Sequence, residues 1–586
     1  MKGSKTDLGK PDKYELLAET ARRRGFFWQS YEIYGGVSGF FNFGPLGVRL
    51  KRKIEDRWRN LFVKQQEFVE IESPIVAPAS VFKASGHEEH FLDPMIDCVN
   101  CQRKFRPDHL LEEQAGLTSL EGLSLAEMRR LIEEKNIKCP ECGGSLGQPQ
   151  HFNLMFKTMI GPYTEALAYC RPEAAQGMFT DFKRLYEYVR ERIPFAAAQI
   201  GHVLRNEISP RQGPVRLREF TIMELELFFD PEKPSCPRLK EVEEDKMRIL
   251  TEDMQLRGVS EPEEVTVKEA LEKAYIVTQW QAYFMALSKR FMSDLGVPQE
   301  RQMFKAKLPT ERAHYAKQVY DHVVFLERWG WVEIAGHAYR TDYDLSGHTK
   351  HSKVDMRVFE PYEKPVKREI KSLIPNMPAI QRTFGKETSR IVKTLSEFNP
   401  EEVERALESS GHFDIGGHKI LPEHVEVKTK DVEETGRRYI PHVVEPSFGA
   451  DRIVYATLEY AYSTAEDRVV LKMPKEVAPI QTVVLPLVAK DGLPEKAREL
   501  YKILRNEGFD VEYDEGGSIG RRYARADEIG VPVAVTVDYQ SKEDDTATLR
   551  NRDTWKQVRV ELGKIPELLK EYLTGKANFE NLGKPV

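Results

Sequence analysis

The chain has 586 residues, of which 40% are apolar and 31% are charged, and its formal net charge is -6. This length exceeds what one hydrophobic core holds and predicts three or more globular domains, while the weakly negative charge excludes a general polycation but allows a local basic groove. Because no run of about eighteen apolar residues occurs and residues 1–13 lack the apolar core of a signal peptide, we expect a cytoplasmic protein without a membrane partner.

The N-terminal part combines two helical patterns with a glycine-rich turn. Apolar spacing at residues 12–34 and 45–66 predicts two helices, and the glycines of residues 35–47 predict the turn between them. Apolar and polar residues alternate over residues 68–76, which predicts a strand, and Ser73-Pro74 is expected to end it. Since the proline there cannot donate to a strand ladder, we expect an edge or interface strand.

Short apolar stretches separated by polar segments predict a discontinuous antiparallel sheet with insertions. The strand-like stretches are residues 151–158, 198–230, 331–345 and 441–448. The predicted divisions are an N-terminal part of the core at 1–96, a cysteine-containing insertion at 97–150, core at 151–232, a helical insertion at 233–310, core at 311–350, a polar third insertion at 351–435, core at 436–477 and a C-terminal domain at 478–586.

The C-terminal domain shows alternating strand and helix patterns. Strands are predicted at residues 482–487, 511–513 and 533–537, with helices at 495–507 and 521–530 between them. This alternation predicts an α/β domain with its own core.

Four of the six cysteines form two C-x-x-C pairs with 37 residues between the pairs. Two such pairs, each in a tight turn, are typical of a four-thiolate zinc site of the ribbon type, which is structural because the protein fills all four positions. The alternative is four unrelated reduced cysteines. The predicted zinc ligands are Cys98, Cys101, Cys139 and Cys142.

Two histidine pairs match metal motifs poorly. His87 and His90 are three residues apart, whereas the helical zinc-protease motif needs four, so we expect a surface turn there. His348 and His351 lie in a polar stretch, and we do not expect them to bind metal.

Residues 205–226 concentrate charge on two predicted strands joined by a loop. Period-two geometry places Arg205 with Glu207 on one face, and Glu224 with Glu226 on one face. Buried charges on a sheet are costly unless they are paired or face a charged ligand. The pattern therefore predicts the floor of a polar site, in which Glu226 has no evident role and is interpreted as structural.

Residues 445–452 predict a phosphate site at a strand-to-helix turn. Gly449 permits a close turn, and Asp451 is expected to cap the following helix. Arg452 lies in the first helical turn, where its charge adds to the positive end of the helix dipole.

These features resemble, in chain order, motifs 1, 2 and 3 of class II aminoacyl-tRNA synthetases: Pro74 after its strand, the hairpin at 205–226, and the turn with Gly449 and Arg452. Within that class, the chain resembles the glycyl-tRNA synthetase family of the archaeal and eukaryotic homodimeric type. The segments that carry this resemblance are residues 171–177, 194–201, 205–211, 218–221 and 445–449.

The resemblance implies an α+β fold, with an antiparallel catalytic sheet of about six or seven strands, zinc-ribbon-like and helical insertions, and a C-terminal α/β anticodon-binding domain. It also implies a homodimer built through the strand that ends at Pro74. The implied activity is that of a glycine-tRNA ligase, which activates glycine with ATP to glycyl-adenylate and pyrophosphate, then transfers glycine to the 3' end of tRNA(Gly).

Two alternative functions remain at this point. Threonyl, prolyl and seryl ligases share the domain plan, although the segment around Glu173 and Ser447 favours glycine. A non-catalytic RNA-binding relative would be expected to lack the motif arginines, and this chain has both Arg205 and Arg452.

The resemblance also assigns the ATP site. Arg205 is expected to bridge the α-phosphate and the amino-acid carboxylate, Phe220 to stack on adenine, and Arg452 to bind the γ-phosphate; Arg205 and Arg452 are thus the predicted catalytic residues. Glu333 and Glu445 are expected to hold Mg²⁺ with the ATP. The full predicted ATP-binding set is Arg205, Asn206, Glu207, Val215, Arg216, Phe220, Glu333, Ile334, Gly449 and Arg452.

Glycine has no side chain to recognise, so its ammonium group is the expected handle. By resemblance, Glu173 and Glu224 bind it with help from Ser447. Arg106 is expected to contact the substrate, which would fold the zinc insertion over the site, although Pro107 stands where the family has alanine. The full predicted glycine-binding set is Arg106, Glu173, Phe220, Glu224, Glu445 and Ser447.

The tRNA is expected to meet the C-terminal domain at the glycine- and arginine-rich residues 516–525. By resemblance this domain binds the anticodon, and Arg521, Arg522 and Arg525 suit phosphates and unstacked bases. The alternative is a helix start with solvated charges.

Overall fold

The computed structural model describes residues 12–117, 120, 122–162, 166–210, 212–466 and 468–586. The predictions that concern residues 1–11 and Arg211 lie outside the described residues. The chain forms two compact units: the second is Arg357–Ile440, and the first holds the other described residues. None of the described helices is long and apolar enough to cross a membrane.

Two helices and a small hairpin form the described N-terminal part. The first helix ends at Gly25, which adopts a left-handed φ of 77° that glycine tolerates without strain. The prediction of helix as far as residue 34 is therefore wrong, and part of that segment pairs in the hairpin instead. In chain order the elements are the helix Lys13–Arg24, the strands Phe27–Gln29 and Phe41–Phe43, the helix Pro45–Trp58 and the π-helical turn Arg59–Lys64.

A nine-stranded sheet forms the centre of the first unit. Its longest strands carry the residues predicted to bind substrate. The strands are Val69–Glu70 (β1), Phe195–Leu204 (β2), Glu219–Phe229 (β3), Lys246–Leu250 (β4), Glu263–Thr266 (β5), Gln302–Ala306 (β6), Gln318–Leu326 (β7), Gly330–Thr341 (β8) and His442–Gly449 (β9).

The strands lie in the spatial order β5, β4, β6, β7, β8, β9, β3, β2, β1. All neighbours are antiparallel except β1 with β2 and β4 with β6. β1 lies at an edge of the sheet, but the predicted strand at 68–76 is wrong in extent, because only Val69–Glu70 pairs there and the chain leaves the sheet before Pro74. The sheet is wider than expected because the segment at 233–310, predicted to be helical, contributes β4, β5 and β6. Charged residues in β4 and β5 obscured the strand pattern, since strands at or near a solvated edge carry such residues.

One face of this sheet is packed by the helices Gln279–Asp294 and Ala450–Ala461. Phe448 of β9 contributes to that core, where its ring lies 4.9 Å from the ring of Phe62. Because successive side chains of a strand alternate between faces, Ser447 and Gly449 face the opposite side. Burial of apolar side chains thus stabilises the packing of one face of the sheet, and polar groups can occupy the opposite face.

The segment that carries the cysteine pairs has a small core of its own, which includes Leu110, Leu111 and Ile132. Its elements are the strands Leu92–Asp97, Lys104–Phe105 and Gln150–Asn153 and the helices Pro107–Ala115 and Leu125–Glu134. Shorter elements elsewhere in the first unit are the helices Ala79–Ala84, His87–His90, Ala175–Thr180, Phe182–Tyr188, Glu252–Leu256, Val267–Glu272 and Tyr343–Ser352 and the strands Val76–Pro78, Lys157–Met159, Leu167–Cys170, Tyr462–Ala465 and Arg468–Leu471.

The C-terminal domain is a six-stranded sheet with helices, and its predicted α/β pattern is confirmed. Its strands are Thr482–Pro486 (β10), Val511–Tyr513 (β11), Val533–Val537 (β12), Thr546–Asn551 (β13), Gln557–Glu561 (β14) and Lys584–Pro585 (β15), in the spatial order β11, β10, β12, β13, β14, β15. Its helices are Leu493–Asn506, Ile519–Glu528, Gln540–Asp544 and Ile565–Leu573.

The second unit is built on a long two-stranded ribbon. Buried apolar residues that include Ile380, Ile391 and Val403 give it a core of its own. Its elements are the strands Val358–Pro375, Phe413–Ile415, His418–Ile420 and Val425–Tyr439 and the helices Met377–Phe384, Thr388–Leu395 and Pro400–Ser410.

Candidate active site

A pocket lies where the loop between β2 and β3 meets β8 and β9. Every predicted ATP-binding residue except Asn206 lines it, and Asn206 instead donates its backbone N–H to the Leu154 carbonyl at 2.7 Å. The pocket combines one half-buried aromatic ring, that of Phe220, with guanidinium groups that suit phosphate oxygens. The remaining lining residues are Pro214, Leu217, Ile222, Ala335, Ser447 and Asp451.

Arg205 lies immediately after β2, at the boundary between this pocket and a second one. Its Nε donates to the Pro172 carbonyl at 3.1 Å. Its guanidinium lies over two rings, 5.6 Å from the centre of Phe91 and 5.4 Å from that of Phe220. One backbone bond and two rings thus orient the fork in a place where its charge can reach both pockets.

Glu207 and Arg216, both in the predicted ATP-binding set, are bonded to each other. The Nε of Arg216 donates to a Glu207 oxygen at 2.8 Å, and Nη2 lies 2.8 Å from the same oxygen. This ion pair holds the loop between β2 and β3 across the pocket.

Arg452 reaches the same pocket from the first turn of the helix Ala450–Ala461. It donates to the carbonyl oxygens of Val215 at 2.7 Å and Glu333 at 2.6 Å. The prediction that Asp451 caps this helix is wrong, because Gly449 is the N-cap. Asp451 instead accepts from Lys51 at 3.0 Å and from the backbone N–H of Thr221 at 2.5 Å, which ties the helix to β3.

A buried acidic recess lies beside Arg205. Glu224 is 1% exposed, and its two oxygens accept from the Ser447 hydroxyl at 2.7 Å and from the Ala174 backbone N–H at 2.6 Å. Glu173 is 5% exposed and lines the second pocket together with Arg205. The structure thus places Glu173, Glu224 and Ser447, three of the predicted glycine-binding residues, around one recess.

Arg340 organises this recess and was missed by the sequence analysis. Its side chain is 0% exposed. Its guanidinium donates to Asp344 at 2.8 and 3.0 Å, to Glu445 at 2.8 Å and to Glu173 at 3.3 Å, and lies 3.7 Å from the centre of the Tyr315 ring. One buried cation thus fixes three carboxylates from three parts of the chain.

The carboxyl groups of the recess differ in their affinity for protons. Although burial alone would raise it, Arg340 and His87 hold the pKa of Glu173 well below its ordinary value. Burial raises the pKa of Glu445, with Glu224 and Glu173 acting in the same direction and Arg340 opposing them. Burial and the nearby Glu173 raise the pKa of Glu224. Of these three carboxyl groups, Glu173 therefore has the strongest tendency to remain ionised.

Glu333 and Glu445, the two predicted Mg²⁺ ligands, lie too far apart along the sheet to bind one common ion. Glu445 pairs with Ala338 across β9 and β8, five residues along β8 from Glu333. At ~3.3 Å per residue, that spacing exceeds the reach of one ion by several-fold. Glu445 accepts from Arg340, whereas Glu333 lines the pocket with Arg452.

The second pocket extends from Arg205 towards the cysteine-containing insertion. Arg106 lines it and donates to Asp108 at 2.6 Å. His87 lines it too, so the expected surface turn is wrong: His87 is 3% exposed and its Nε2 lies 3.5 Å from a Glu173 oxygen. His348 is also buried and bonds the side-chain oxygen of Gln176 at 2.8 Å.

The four cysteines of the C-x-x-C pairs converge, with their sulfur atoms within 4.8 Å of one another. The sulfurs of Cys98 and Cys142 are 3.5 Å apart, and those of Cys101 and Cys139 are 3.7 Å apart. Sulfurs at ~2.3 Å from a tetrahedral zinc ion are about 3.8 Å from each other. The donor set therefore fits zinc, and none of the four is in a disulfide.

We expect freshly purified protein to contain near-stoichiometric zinc. Cys139→Ser is expected to lose the metal, because three thiolates hold zinc less tightly than four, and to increase proteolysis within the small core of the insertion. Metal analysis and limited proteolysis measure both effects. Cys170→Ser, outside the cluster, is the control, and equal zinc content in the two variants would contradict the site.

The arginines predicted to bind tRNA differ in accessibility. Arg521 is exposed. Arg522 is 2% exposed and donates to the Pro486 and Leu487 carbonyls, so it packs the domain rather than facing solvent, and its predicted binding role is wrong for this surface. Arg525 donates to Asp514 at 2.5 and 2.8 Å.

The fold and the site together define a class II aminoacyl-tRNA synthetase: a largely antiparallel sheet and the helix that follows β9 place Arg205, Phe220 and Arg452 around one pocket, beside a buried amino-acid recess. Residues 481–572 match the family "Anticodon binding domain". The chain is 50% identical to a glycine--tRNA ligase of Aeropyrum pernix over 98% of this chain and 99% of that protein. It is 47% identical to the glycine--tRNA ligase of Pyrococcus horikoshii over 97% of this chain and 100% of that protein.

At this identity and coverage, the chain belongs to the glycine--tRNA ligase family. Among solved structures, prolyl-tRNA synthetase from Cryptosporidium parvum complexed with L-proline and AMP is similar at 12% sequence identity and a TM-score of 0.49, covering 96% of this chain and 78% of that one.

Proposed function

We propose that the protein activates glycine with ATP to form glycyl-adenylate and pyrophosphate and then transfers glycine to the 3' end of tRNA(Gly). The observation that carries the proposal is the position of Arg205, which borders both the pocket suited to a nucleotide and the buried acidic recess. Glycine-dependent ATP–pyrophosphate exchange tests it. Absence of exchange by folded protein would contradict it.

The activation step needs positioning and charge neutralisation. The glycine carboxylate is ionised at neutral pH, so it attacks the α-phosphorus without a general base while pyrophosphate leaves in line. Arg205 bridges the carboxylate and the α-phosphate, and Arg452 binds the terminal phosphate. Phe220 stacks on adenine with Arg452 over the opposite face of the base.

Arg216 and Glu207 act after their mutual bond rearranges. ATP offers phosphate oxygens to Arg216 and an exocyclic amino group to Glu207. When ATP binds, Arg216 therefore exchanges Glu207 for a phosphate, and Glu207 exchanges Arg216 for the amino group of adenine. The ion pair seen between them keeps both side chains near the pocket before ATP binds.

The Mg²⁺ that accompanies ATP neutralises charge on its phosphates. Glu333, which is half-exposed in the pocket, is the residue that would hold it. Glu445 is reassigned to the support of Arg340, which agrees with its bond to that residue.

Glycine is selected by its ammonium group and by its lack of a side chain. Glu173 and Glu224 bind the ammonium, with Ser447 orienting Glu224 through their bond of 2.7 Å. Both carboxylates are nearly fully buried, so a methyl group on the substrate would enter filled volume. We therefore expect alanine to bind more weakly than glycine by roughly 1–3 kcal/mol.

Arg106 contacts the substrate side of the second pocket from the zinc insertion. Its support is its position: it lines the pocket with Glu173 and Arg205. The zinc, bound by the four cysteines, would be structural and would order the helix that begins beside Arg106.

The C-terminal domain binds the anticodon through exposed groups such as Arg521. We expect Arg521→Ala to weaken binding of tRNA(Gly) about two- to tenfold, and to reduce its salt dependence, because one phosphate contact is lost. Filter binding at two salt concentrations measures this. Arg130→Ala, an exposed arginine of the zinc insertion, is the control; an equal effect of both variants would contradict a specific role of Arg521.

The active form is a homodimer joined near the strand edge at β1. The support is that several apolar side chains of the N-terminal part are exposed: Ile33 is 88%, Tyr34 is 83% and Val76 is 39% exposed. A sedimentation mass of one chain at micromolar concentration would contradict this.

A further inference from the structure

Glu226 is a buried carboxyl group to which the proposed reaction assigns no role. It lies on β3 two residues beyond Glu224, on the same face of the sheet, and is 0% exposed. Within the described part of the chain, neither of its oxygens has a hydrogen-bond partner. An ionised carboxylate without a donor in such surroundings is strongly disfavoured.

Two neighbours of Glu226 carry carboxyl groups. Its side chain shares a cluster with Glu224 and Glu445, in which oxygens of all three lie within 4.8 Å of one another. By strand register, with Glu224 opposite Ser447 and Leu227 opposite Val444, Glu226 lies directly across from Glu445.

The donors near this cluster are already engaged with other groups. Ser447 and the Ala174 N–H both donate to Glu224. Arg340, from β8, donates to Glu445, Glu173 and Asp344. The described residues therefore supply no donor to Glu226, and its own proton is the donor that the cluster can gain.

We propose that Glu226 is a neutral carboxylic acid whose O–H donates to Glu445, and that it is a positioning residue for the glycine recess. The bond would lock Glu445 in the orientation that holds Arg340, and Arg340 in turn holds Glu173. The ammonium of the substrate then meets Glu173 and Glu224 in fixed positions. The proposal depends on the proposed function only for the identity of the ligand as glycine.

The charges around Glu226 agree with the neutral form. Burial first, and then the Glu445 carboxylate, raise the pKa of Glu226 well above its ordinary value, with Glu224 and Asp344 acting in the same direction and Arg340 opposing them. A neutral Glu226 also limits the number of uncompensated anions beside the buried cation Arg340.

Two substitutions separate a proton donor from an anion and from a volume filler. Glu226→Gln keeps an N–H donor at nearly the same place, and we expect the KM for glycine in pyrophosphate exchange to stay within about twofold of the wild type. Glu226→Met keeps the approximate volume but has no donor, and we expect that KM to rise about tenfold with the KM for ATP unchanged.

Each contrary pattern overturns the proposal. If Glu226→Gln raises the KM for glycine as much as Glu226→Met does, the side chain acts as an anion or as the ligand of a cation. If Glu226→Met leaves this KM unchanged, Glu226 only fills space. Thermal melting of both variants checks folding.

Infrared difference spectroscopy tests the protonation directly and needs neither substrate nor a folded Met variant. The spectrum of the wild type minus Glu226→Gln at neutral pH is expected to contain the carbonyl stretch of a protonated carboxylic acid. Bands of an ionised carboxylate alone would overturn the proposal. Because this measurement uses the free protein, it distinguishes failure of this inference from failure of the proposed function, which would appear as absent exchange by the wild type.

Discussion

Arg205→Lys is expected to reduce glycine-dependent ATP–pyrophosphate exchange by about 10²–10³-fold, although it conserves the charge. The guanidinium of Arg205 is held by the Pro172 carbonyl and lies over Phe91 and Phe220. A lysine ammonium is a single flexible point of charge, so it cannot bridge a carboxylate and a phosphate in one plane. The loss should fall mainly on kcat, because the bridge is strongest as the new bond forms.

Arg57→Lys is the matched control for this prediction. Arg57 is half-buried and its ion pair with Asp294 lies at the surface, so its replacement should leave the exchange rate unchanged. If Arg205→Lys also retains the wild-type rate, Arg205 does not bridge the reacting groups.

Arg340→Met is expected to combine the largest loss of stability with a loss of glycine binding. Arg340 is 0% exposed, and its replacement leaves Glu173, Asp344 and Glu445 without the buried cation that they share. Breaking a buried ion pair on one side costs about 3–5 kcal/mol, because an uncompensated charge remains. We therefore expect a clearly lower melting temperature and a much higher KM for glycine.

Calorimetry and pyrophosphate exchange measure these two effects separately. Arg130→Met is the control, since Arg130 forms an exposed helical ion pair with Glu134 that contributes little. Acidic pH should partly restore the stability of Arg340→Met, because protonation removes the repulsion among the three carboxyl groups. A variant with wild-type melting and wild-type KM would exclude Arg340 as the organiser of the recess.

Much of the site could be predicted because its residues lie in short local patterns. Arg205, Phe220 and Glu224 belong to one hairpin, and Gly449 and Arg452 to one turn, so their spacing alone suggested a polar site and a phosphate site. The structure brings these residues to adjoining pockets. The C-terminal strands were equally visible, since each is a short apolar run followed by a turn.

The residues that were missed depend on contacts between distant segments. Arg340 reads as an ordinary strand residue until β8, β9 and the segment around Glu173 are brought together. The separation of Glu333 from Glu445 depends on strand register, which no local pattern gives. Arg522 has a charged, surface-like sequence context, and only the fold shows that backbone carbonyls surround its guanidinium.

Charging of total tRNA with each of the twenty amino acids tests the central claim most directly. The recess around Glu173 and Glu224 predicts that glycine alone is attached at a substantial rate, with alanine at least about tenfold slower. Attachment of another amino acid at a rate equal to that of glycine, or of none, would contradict the proposed function.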